Sequence, residues 1–303
     1  MDPDDASSDL WAPHGITVLG AAAGTGKTGV SIGLLRSLRR RGVPCEPFKA
    51  VAVVTPDDPA YTAVPPWQRG VLHNCSAAGL EVRWRHNPVV VDLPRVGALE
   101  GDLYVKGRLV GTAPVAGEDC LDPSALPGPL RRQCEDAVLE GYELTRAGGA
   151  WLLVEGAAGA GELDPGDDLA NQVLPAHAGL PVVLVTNPRR SGHLAALSGL
   201  TRLLAPELAA LLLGYVLNQV GGTPQAPLLA ARLTAATGLP MLAAIANSPL
   251  PDGYDGSLQM LERLYDRRCR YVEASGLLER VPLPADHRST PLPSLSTIEE
   301  FTP

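Results

Sequence analysis

The stretch Gly15-Ile-Thr-Val-Leu19-Gly20-Ala-Ala-Ala-Gly24-Thr25-Gly26-Lys27-Thr28 decides the expected fold. Residues 16–19 form a short apolar run with β-branched members, which is typical of a buried strand. Beyond the stretch, apolar residues recur at helical spacing as Val30, Leu34, Leu35 and Leu38. The sequence therefore predicts a strand, a glycine-rich loop and a helix in direct succession.

The glycine-rich loop has the composition of a phosphate-binding loop. Glycines allow successive backbone N–H groups to surround phosphate oxygens, and the N-terminus of the following helix adds a partial positive charge. We expect Lys27 to reach the β- and γ-phosphates of ATP and the Thr28 hydroxyl to bind Mg²⁺. The alternative, a glycine-rich turn with an incidental lysine, is less favoured because strand, loop, Gly-Lys-Thr and helix agree. The residues expected to bind the nucleotide are Gly20, Gly24, Thr25, Gly26, Lys27, Thr28 and Gly29.

Composition excludes several classes of partner. The 303 residues carry a net charge of −8, which disfavours nucleic acid because its phosphates would be repelled. No apolar run reaches the ~20 residues needed to span a bilayer. The five cysteines are scattered without a C-x-x-C pair, which indicates free thiols in a reducing compartment and no cysteine metal site. Because the acidic start lacks the basic residues of a signal peptide, we expect a cytoplasmic protein.

Apolar strands alternate with helical patterns along most of the chain, which predicts a three-layer α/β fold of the P-loop NTPase class. Runs without polar alternation indicate a mostly parallel sheet with helices on both faces. We expect a flexible leader at 1–13, one domain at 14–280 and a disordered tail at 281–303. Residues 51–130 are rich in proline and short apolar runs, and we interpret them as an irregular insertion over the site.

Several motifs together resemble the ATP-dependent synthetase domain of cobyric acid synthase and, more distantly, dethiobiotin synthetase. Both families use a longer phosphate loop, which residues 20–28 fit, and a lysine after the second strand, here in Phe48-Lys49-Ala50. A third motif is Glu155-Gly-Ala-Ala-Gly-Ala-Gly-Glu162 with the following Asp168-Leu-Ala-Asn171. Two more are Pro181-Val-Val-Leu-Val-Thr-Asn187-Pro-Arg189-Arg190-Ser-Gly192 and Gly214-Tyr-Val-Leu-Asn218-Gln219. The similarity covers roughly residues 15–250.

The resemblance implies roles for residues at the ends of strands. Lys27, Lys49 and Glu155 become the catalytic residues, with Lys49 stabilising charge on the transferred phosphoryl group and Glu155 binding Mg²⁺ beside Thr28. Asn218 matches an asparagine that contacts adenine. The residues implied to touch substrate are Glu162, Asp168 and Asn171. Simpler interpretations stay open, such as a solvated strand end for Glu155 and helix capping for Asp168.

The sequence also departs from the family. Residues 65–69 lack the acidic residue that helps the family to hold Mg²⁺. Asp57 or Asp58 could substitute, and we take Asp57 as the metal ligand. Asn187 and Arg189 replace the two aspartates of the corresponding family turn. Because Arg189 and Arg190 form a positively charged pair there, we expect Arg190 to bind a more anionic small substrate, with a solvated turn as the alternative. Cobyric acid synthase also has a glutaminase domain, and Cys269 lies in an arginine-rich helical context that does not suit its nucleophile. Ammonia would then come from solution or a separate subunit, and a homodimer is expected because related domains complete their sites across a two-fold axis.

These observations predict an ATP- and Mg²⁺-dependent C–N ligase. It would activate a small-molecule carboxylate as an acyl phosphate and form an amide with ammonia or an amine. One alternative is dethiobiotin-synthetase-like cyclisation, or phosphorylation of a small substrate in a specialised biosynthetic pathway. An alternative of another class is a nucleotide-switched partitioning-type ATPase, although the second lysine of those loops is missing from residues 20–23.

Overall fold

The computed structural model describes residues 14–116 and 120–284. The first half of the described chain contributes strands to two sheets, a large one and a second, smaller one, with helices between the strands. Its elements are β1 (Gly15–Gly20), α1 (Lys27–Arg40), β2 (Cys45–Phe48), β3 (Val51–Val54), α2 (Pro66–Arg69), α3 (Leu72–Ala78), β4 (Val89–Asp92), β5 (Glu100–Val105), β6 (Arg108–Ala116), β7 (Cys120–Leu121) and α4 (Gly128–Arg146). The second half alternates strand and helix: β8 (Trp151–Glu155), α5 (Leu174–Ala178), β9 (Val182–Thr186), α6 (His193–Leu203), α7 (Pro206–Ala209), β10 (Leu212–Leu217), α8 (Ala226–Thr237), β11 (Met241–Ala244) and α9 (Leu258–Ala274).

The large sheet has six strands in the order β11-β10-β9-β1-β8-β2, and all its paired strands are parallel. Its central strands are buried on both faces, which explains their continuous apolar sequences. Pro47 lies in β2 at the edge of the sheet, where a missing N–H costs no ladder bond. The predicted three-layer α/β fold is confirmed.

Successive side chains of the central strands point alternately into two core layers, one on each face of the large sheet. Ile16 and Val18 point into a cluster that α1 and α9 cover on one face. On the opposite face, Leu19 and Leu184 pack with α6 and α8. A strand covered on both faces by helices is the arrangement that the continuous apolar runs predict. The two helical layers leave only the strand ends free to carry polar side chains.

The irregular structure expected for residues 51–130 is corrected for the described residues 51–116 and 120–130, which form regular elements. This segment forms a second sheet in the order β3-β4-β5-β6-β7, with β3 and β4 parallel and the remaining pairs antiparallel. One face of this sheet and α4 share a single buried cluster with Leu152 and Val154 of the large sheet. The second sheet therefore has a fixed position beside β2 and β8.

The chain ends were also part of the domain prediction. The leader at 1–13 and residues 285–303 of the tail lie outside the described residues. Residues 281–284 are described, and Val281 and Leu283 are buried while the carbonyl of Pro282 accepts a hydrogen bond from Trp151 Nε1 over 2.9 Å. The ordered domain therefore continues at least four residues past the expected boundary at 280. Within the described ranges, no helix combines the length and the apolar character that crossing a bilayer requires.

Candidate active site

The glycine-rich loop connects β1 to α1 and opens at the carboxyl edge of the large sheet. Gly24 and Gly26 adopt the left-handed conformation, with φ of 66° and 87°. Gly26 directly precedes α1, so the unpaired N–H groups of the first helical turn face the loop. A Cβ at Gly26 would overlap with the amide nitrogen of Asn218. Only glycine suits this position, because it needs both the left-handed backbone and the missing side chain.

The carboxylate of Glu155, at the end of β8, collects three side chains from separate segments. Thr28 Oγ1 donates to Glu155 Oε1 over 2.7 Å, and Lys49 Nζ lies 3.2 Å from the same oxygen. Asn74 Nδ2 donates to the other oxygen, Oε2, over 2.8 Å. Because β2, β8 and β1 are neighbours in the sheet, Lys49, Glu155 and the loop come together at adjacent strand ends.

Glu155 is held as a carboxylate although the residue is only 1% exposed. Burial alone would raise its pKa, since a charge is costly in a low-dielectric interior. The positive charge of Lys49, the hydrogen bonds from Asn74 and Thr28 and the charge of Lys27 outweigh burial and lower the pKa to about 2. The site therefore offers a fixed negative charge throughout the neutral pH range.

A cavity of about 220 Å³ lies between the loop and Glu155. Lys27 is 7% exposed, and its ammonium donates to the carbonyl oxygen of Ala158, a residue with an uncommon positive φ of 46°. The segment after β8 thus holds the loop lysine at the cavity wall. The cavity is lined by Gly24, Gly26, Lys27, Thr28, Lys49, Val53, Glu155, Ala157 and Ala158.

The donor set of this cavity fits a magnesium nucleotide. Mg²⁺ prefers oxygen ligands and is held through one or two protein oxygens together with phosphates and water. The Thr28 hydroxyl and the Glu155 carboxylate supply such oxygens side by side. Phosphates would meet the backbone N–H groups of a loop that carries no Cβ at Gly24 and Gly26, together with the positive charge of Lys27. The residues present therefore suit both groups.

Asn218 lies behind the loop, at the end of β10. Its Nδ2 donates to the carbonyl oxygen of Thr25 over 2.9 Å, and the residue is 5% exposed. The hydrogen bond ties the loop to a strand two positions away in the sheet. This supporting role is additional to the adenine contact implied by the resemblance, which stays a prediction.

Asp57 does not join the metal-binding oxygens as expected. Its carboxylate is exposed, accepts a hydrogen bond from Thr55 over 2.8 Å and is absent from the cavity wall. The neighbouring Asp58 is also engaged elsewhere, with His73 Nε2 and the Tyr254 hydroxyl, each at 2.9 Å. Asp57 is therefore withdrawn as a metal ligand, because the chain turns it toward solvent rather than toward Glu155.

Asp168 and Asn171 support the cavity wall instead of lining it. They are 2% and 0% exposed. Asn171 donates to both oxygens of Asp168 at 3.0 Å and to the carbonyl of Ala157 at 2.9 Å. Burial, partly offset by these hydrogen bonds, raises the pKa of Asp168 to about 6. The expected direct contact of Asp168 and Asn171 with substrate is corrected accordingly.

Glu162 and Arg190 stay close to the loop. Glu162 is exposed beside Gly159, where a Cβ would lie 2.7 Å from Glu162 Oε1 and 2.9 Å from the Cα of Ala22. Arg190 is exposed and lies against Gly24. Neither side chain is part of the cavity wall, and Arg190 reaches the edge of the cavity at Gly24.

Asn74 is the functional residue that the sequence did not reveal. It is 2% exposed and belongs to α3, in the segment expected to be irregular. Its contact with Glu155 joins residues 81 positions apart. The sequence shows only a polar residue within the short helix 72–78. That pattern does not indicate which part of the molecule the side chain contacts.

A second hydrogen-bonded row of side chains has the residue types of a cysteine nucleophile. Cys75 Sγ lies 3.3 Å from His86 Nδ1, and His86 Nε2 lies 3.3 Å from Glu46 Oε2. Cys75 is fully buried, and burial raises the pKa of its thiol far above the ordinary value. A thiol that stays protonated and out of reach of substrate does not act as a nucleophile. The row instead connects Glu46 of β2 with Cys75 of α3.

Comparison with known proteins gives one consistent result. No family model matches the chain. Cobyric acid synthase of Methylocella silvestris is 30% identical over 213 residues, which is 68% of this chain and 41% of that protein. Cobyric acid synthase of Rhodococcus jostii is 34% identical over 238 residues, 76% of this chain and 43% of that protein. Among solved structures, chloroplast FtsY from Physcomitrella patens aligns with a TM-score of 0.43 and 13% identity, covering 84% of this chain and 65% of FtsY.

The chain spans about two fifths of the length of the curated relatives it matches. The matched part amounts to more than two thirds of this chain. The similarity to these relatives shows that the chain carries a cobyric acid synthase-like domain.

Proposed function

We propose that this chain is an ATP- and Mg²⁺-dependent ligase that activates a small carboxylate and joins it to ammonia or an amine as an amide. One observation carries the proposal: Lys27, Thr28, Lys49 and Glu155 converge on a single cavity beneath a glycine-rich loop. The similarity to proteins named cobyric acid synthase supports the ligase class. Since the chain spans only part of those proteins, their substrates do not transfer to it.

In the proposed reaction, a carboxylate oxygen of the substrate attacks the γ-phosphorus of ATP, the bond to the bridging oxygen breaks, and ADP leaves. The nitrogen of ammonia or an amine then attacks the acyl carbon, phosphate departs with its oxygen, and the nitrogen releases a proton. Such phosphoryl transfers depend mainly on positioning and charge stabilisation. The nitrogen source would be ammonia in solution or ammonia from a separate subunit.

The residues of the cavity supply that positioning. The loop and Lys27 would orient the phosphates, while Thr28 and Glu155 would hold Mg²⁺. When bound, the metal neutralises charge on the β- and γ-phosphates. Lys49 adds a positive charge at the cavity wall, where the transferred phosphoryl group carries its negative charge. Glu155 keeps Lys49 in place through their 3.2 Å contact.

The test is ADP release from ATP and Mg²⁺ with pooled small carboxylates, with and without ammonium, followed by mass analysis. We expect carboxylate-dependent ADP release and an amide product lighter than the acid by about one mass unit. Lys27→Met should abolish turnover. Lys106→Met is the matched control, because Lys106 is a lysine paired with Glu140 on the surface of α4, away from the cavity wall.

Other outcomes would redirect the proposal. ADP release that needs no nitrogen donor would favour cyclisation or simple phosphorylation. Nucleotide binding without any carboxylate-stimulated turnover would oppose the ligase and favour a nucleotide-switched protein. Equal turnover in wild type and Lys27→Met would remove the phosphate loop from the chemistry altogether.

A further inference from the structure

Arg190 lies flat against the phosphate loop. A Cβ built on Gly24 would collide with Arg190 Nη2 and would stand 2.6 Å from Cζ and 3.0 Å from Nε. Three atoms of the guanidinium plane thus approach the same glycine, whose φ of 66° also favours the absence of a side chain. Gly24 lines the cavity, so the guanidinium lies at its rim. The close approach is possible only because residue 24 is glycine.

The backbone that carries Arg190 is fixed by a turn. Asn187, 4% exposed at the end of β9, accepts a hydrogen bond from the Arg189 N–H on its side-chain oxygen at 3.0 Å. The Arg190 N–H donates to the Asn187 carbonyl, also at 3.0 Å. β9 is the neighbour of β1, with Val185 paired to Gly20. The turn therefore directs Arg190 across the strand boundary toward the loop that follows β1.

The guanidinium has no carboxylate partner within residues 14–116 and 120–284. Arg36, Arg69 and Arg85 each form an ion pair with a carboxylate. Arg190 forms neither an ion pair nor a side-chain hydrogen bond with any described residue. A guanidinium presents five donors in a planar fork that matches phosphate oxygens. Its position over the loop makes nucleotide phosphate the anion within closest reach.

We propose that Arg190 is a phosphate-binding residue of the nucleotide site, supplied in cis from β9 across Gly24. It binds the terminal phosphates of a nucleoside di- or triphosphate and thereby distinguishes them from a monophosphate. This inference rests on the proposed nucleotide site and deepens it, since it assigns Arg190 to phosphate rather than to the carboxylate substrate. An arginine at the transferred phosphoryl group also stabilises the charge that the group carries during transfer.

The experiment is isothermal titration calorimetry with Mg²⁺ and three ligands: the non-hydrolysable ATP analogue AMP-PNP, ADP and AMP. For Arg190→Ala we expect affinity for AMP-PNP and ADP to fall about tenfold or more, as loss of a charge-assisted hydrogen bond implies, and affinity for AMP to change less than about threefold. Arg190→Lys should be intermediate, because it keeps the charge and loses the fork. Arg202→Ala is the control, since it removes one exposed arginine from α6 and should leave all three affinities unchanged.

Two results would overturn the inference, and they differ. In the first, wild type binds AMP-PNP, and Arg190→Ala binds each of the three ligands as tightly as wild type does. Arg190 then does not bind phosphate, although the nucleotide site stands. If wild type binds none of the three, the nucleotide site and the inference both fail. The thermal unfolding temperature of each variant must match that of wild type. If Arg190→Ala is unstable, the affinities of Arg190→Lys for the three ligands decide the test instead.

Discussion

Asn74 donates its side-chain amide to Glu155 Oε2 over 2.8 Å, on the carboxylate oxygen opposite the one that Thr28 and Lys49 share. Both residues are buried, at 2% and 1% exposure. The contact joins the segment that carries the second sheet to the large-sheet domain at the buried carboxylate of Glu155. The segment between β2 and α4 is therefore part of the site rather than a cover over it.

Replacing Asn74 should weaken both the fold and the site. In Asn74→Ala, Oε2 of a buried carboxylate loses its donor, which costs about 1.5–3 kcal/mol of unfolding free energy for a hydrogen bond to a charged group. Urea unfolding measures this loss. Gln133→Ala, on the exposed face of α4, is the control and should change the unfolding free energy by less than about 0.5 kcal/mol. Equal effects of the two substitutions would contradict the role assigned to Asn74.

The lowered pKa of Glu155 makes stability depend on acid. Its folded-state pKa of about 2 lies below the ordinary glutamate value, so the folded state holds its proton less tightly than the unfolded state. The resulting stabilisation is present above about pH 4.5 and is lost as pH falls toward 2.

Lys49→Met isolates this contribution. Removing the positive charge leaves burial less opposed and raises the pKa of Glu155, so the variant should be less stable than wild type at pH 7 by about 2–4 kcal/mol. Because the folded and unfolded pKa values then lie closer together, the difference between the two proteins should shrink as pH falls from 4.5 to 2. Urea unfolding across this range is the measurement. A difference that stays constant with pH would show that Lys49 does not govern the Glu155 pKa.

Asp168 should have the opposite pH dependence. Burial raises its pKa to about 6, so the folded state favours the protonated acid and its contribution to stability decreases as pH rises from about 4 to 6. The full change is about 3 kcal/mol at 1.36 kcal/mol per pKa unit. Asp168→Asn keeps an oxygen for the Asn171 N–H and cannot ionise, so this decrease should disappear in the variant.

Unfolding free energies of wild type and Asp168→Asn at pH 4, 5, 6 and 7 test this. The stability of the variant relative to wild type should increase from pH 4 to 6 and level off between pH 6 and 7. Asp136→Asn, an exposed substitution on α4, controls for the loss of one surface charge. Parallel curves for wild type and Asp168→Asn would exclude the raised pKa.

The sequence predicts the large sheet well because buried parallel strands have a direct signature. β8 and β9 consist almost wholly of apolar residues, since both of their faces are covered. In the second sheet, β3 and β4 have this signature, but β5 and β6 lack it. β6 has exposed residues over most of its length, and β5 alternates between exposed and buried residues next to a two-residue turn at Lys106 and Gly107. Its strands share their core with α4, β2 and β8, and no local pattern encodes this packing.

The site follows the same division. Lys49 and Glu155 follow or end strands, and Lys27 and Thr28 begin α1 directly after the loop that follows β1. A parallel sheet must bring these positions to one edge, so their motifs were enough to unite them. Asn74 and Asp57 lie in the segment that carries the second sheet. The structure brings the first to Glu155 and turns the second toward Thr55. The position of each depends on how the second sheet docks, so residue type alone could not distinguish them.

Gly26 provides the sharpest test of the loop. Gly26→Ala adds a Cβ that overlaps with Asn218 Nδ2 and forces a non-glycine residue to a φ of 87°. Strain of this kind costs about 1–2 kcal/mol, and displacement of Asn218 also breaks its hydrogen bond to the Thr25 carbonyl. We therefore expect a destabilisation of about 2–3 kcal/mol together with loss of ATP binding. Gly42→Ala is the matched control, because Gly42 has a φ of 72° and a Cβ added there would meet no atom within 4 Å. It should incur the backbone strain alone and bind ATP like wild type in calorimetry. If both substitutions reduce stability equally and leave ATP binding intact, the contact between Asn218 and the loop has no part in forming the site.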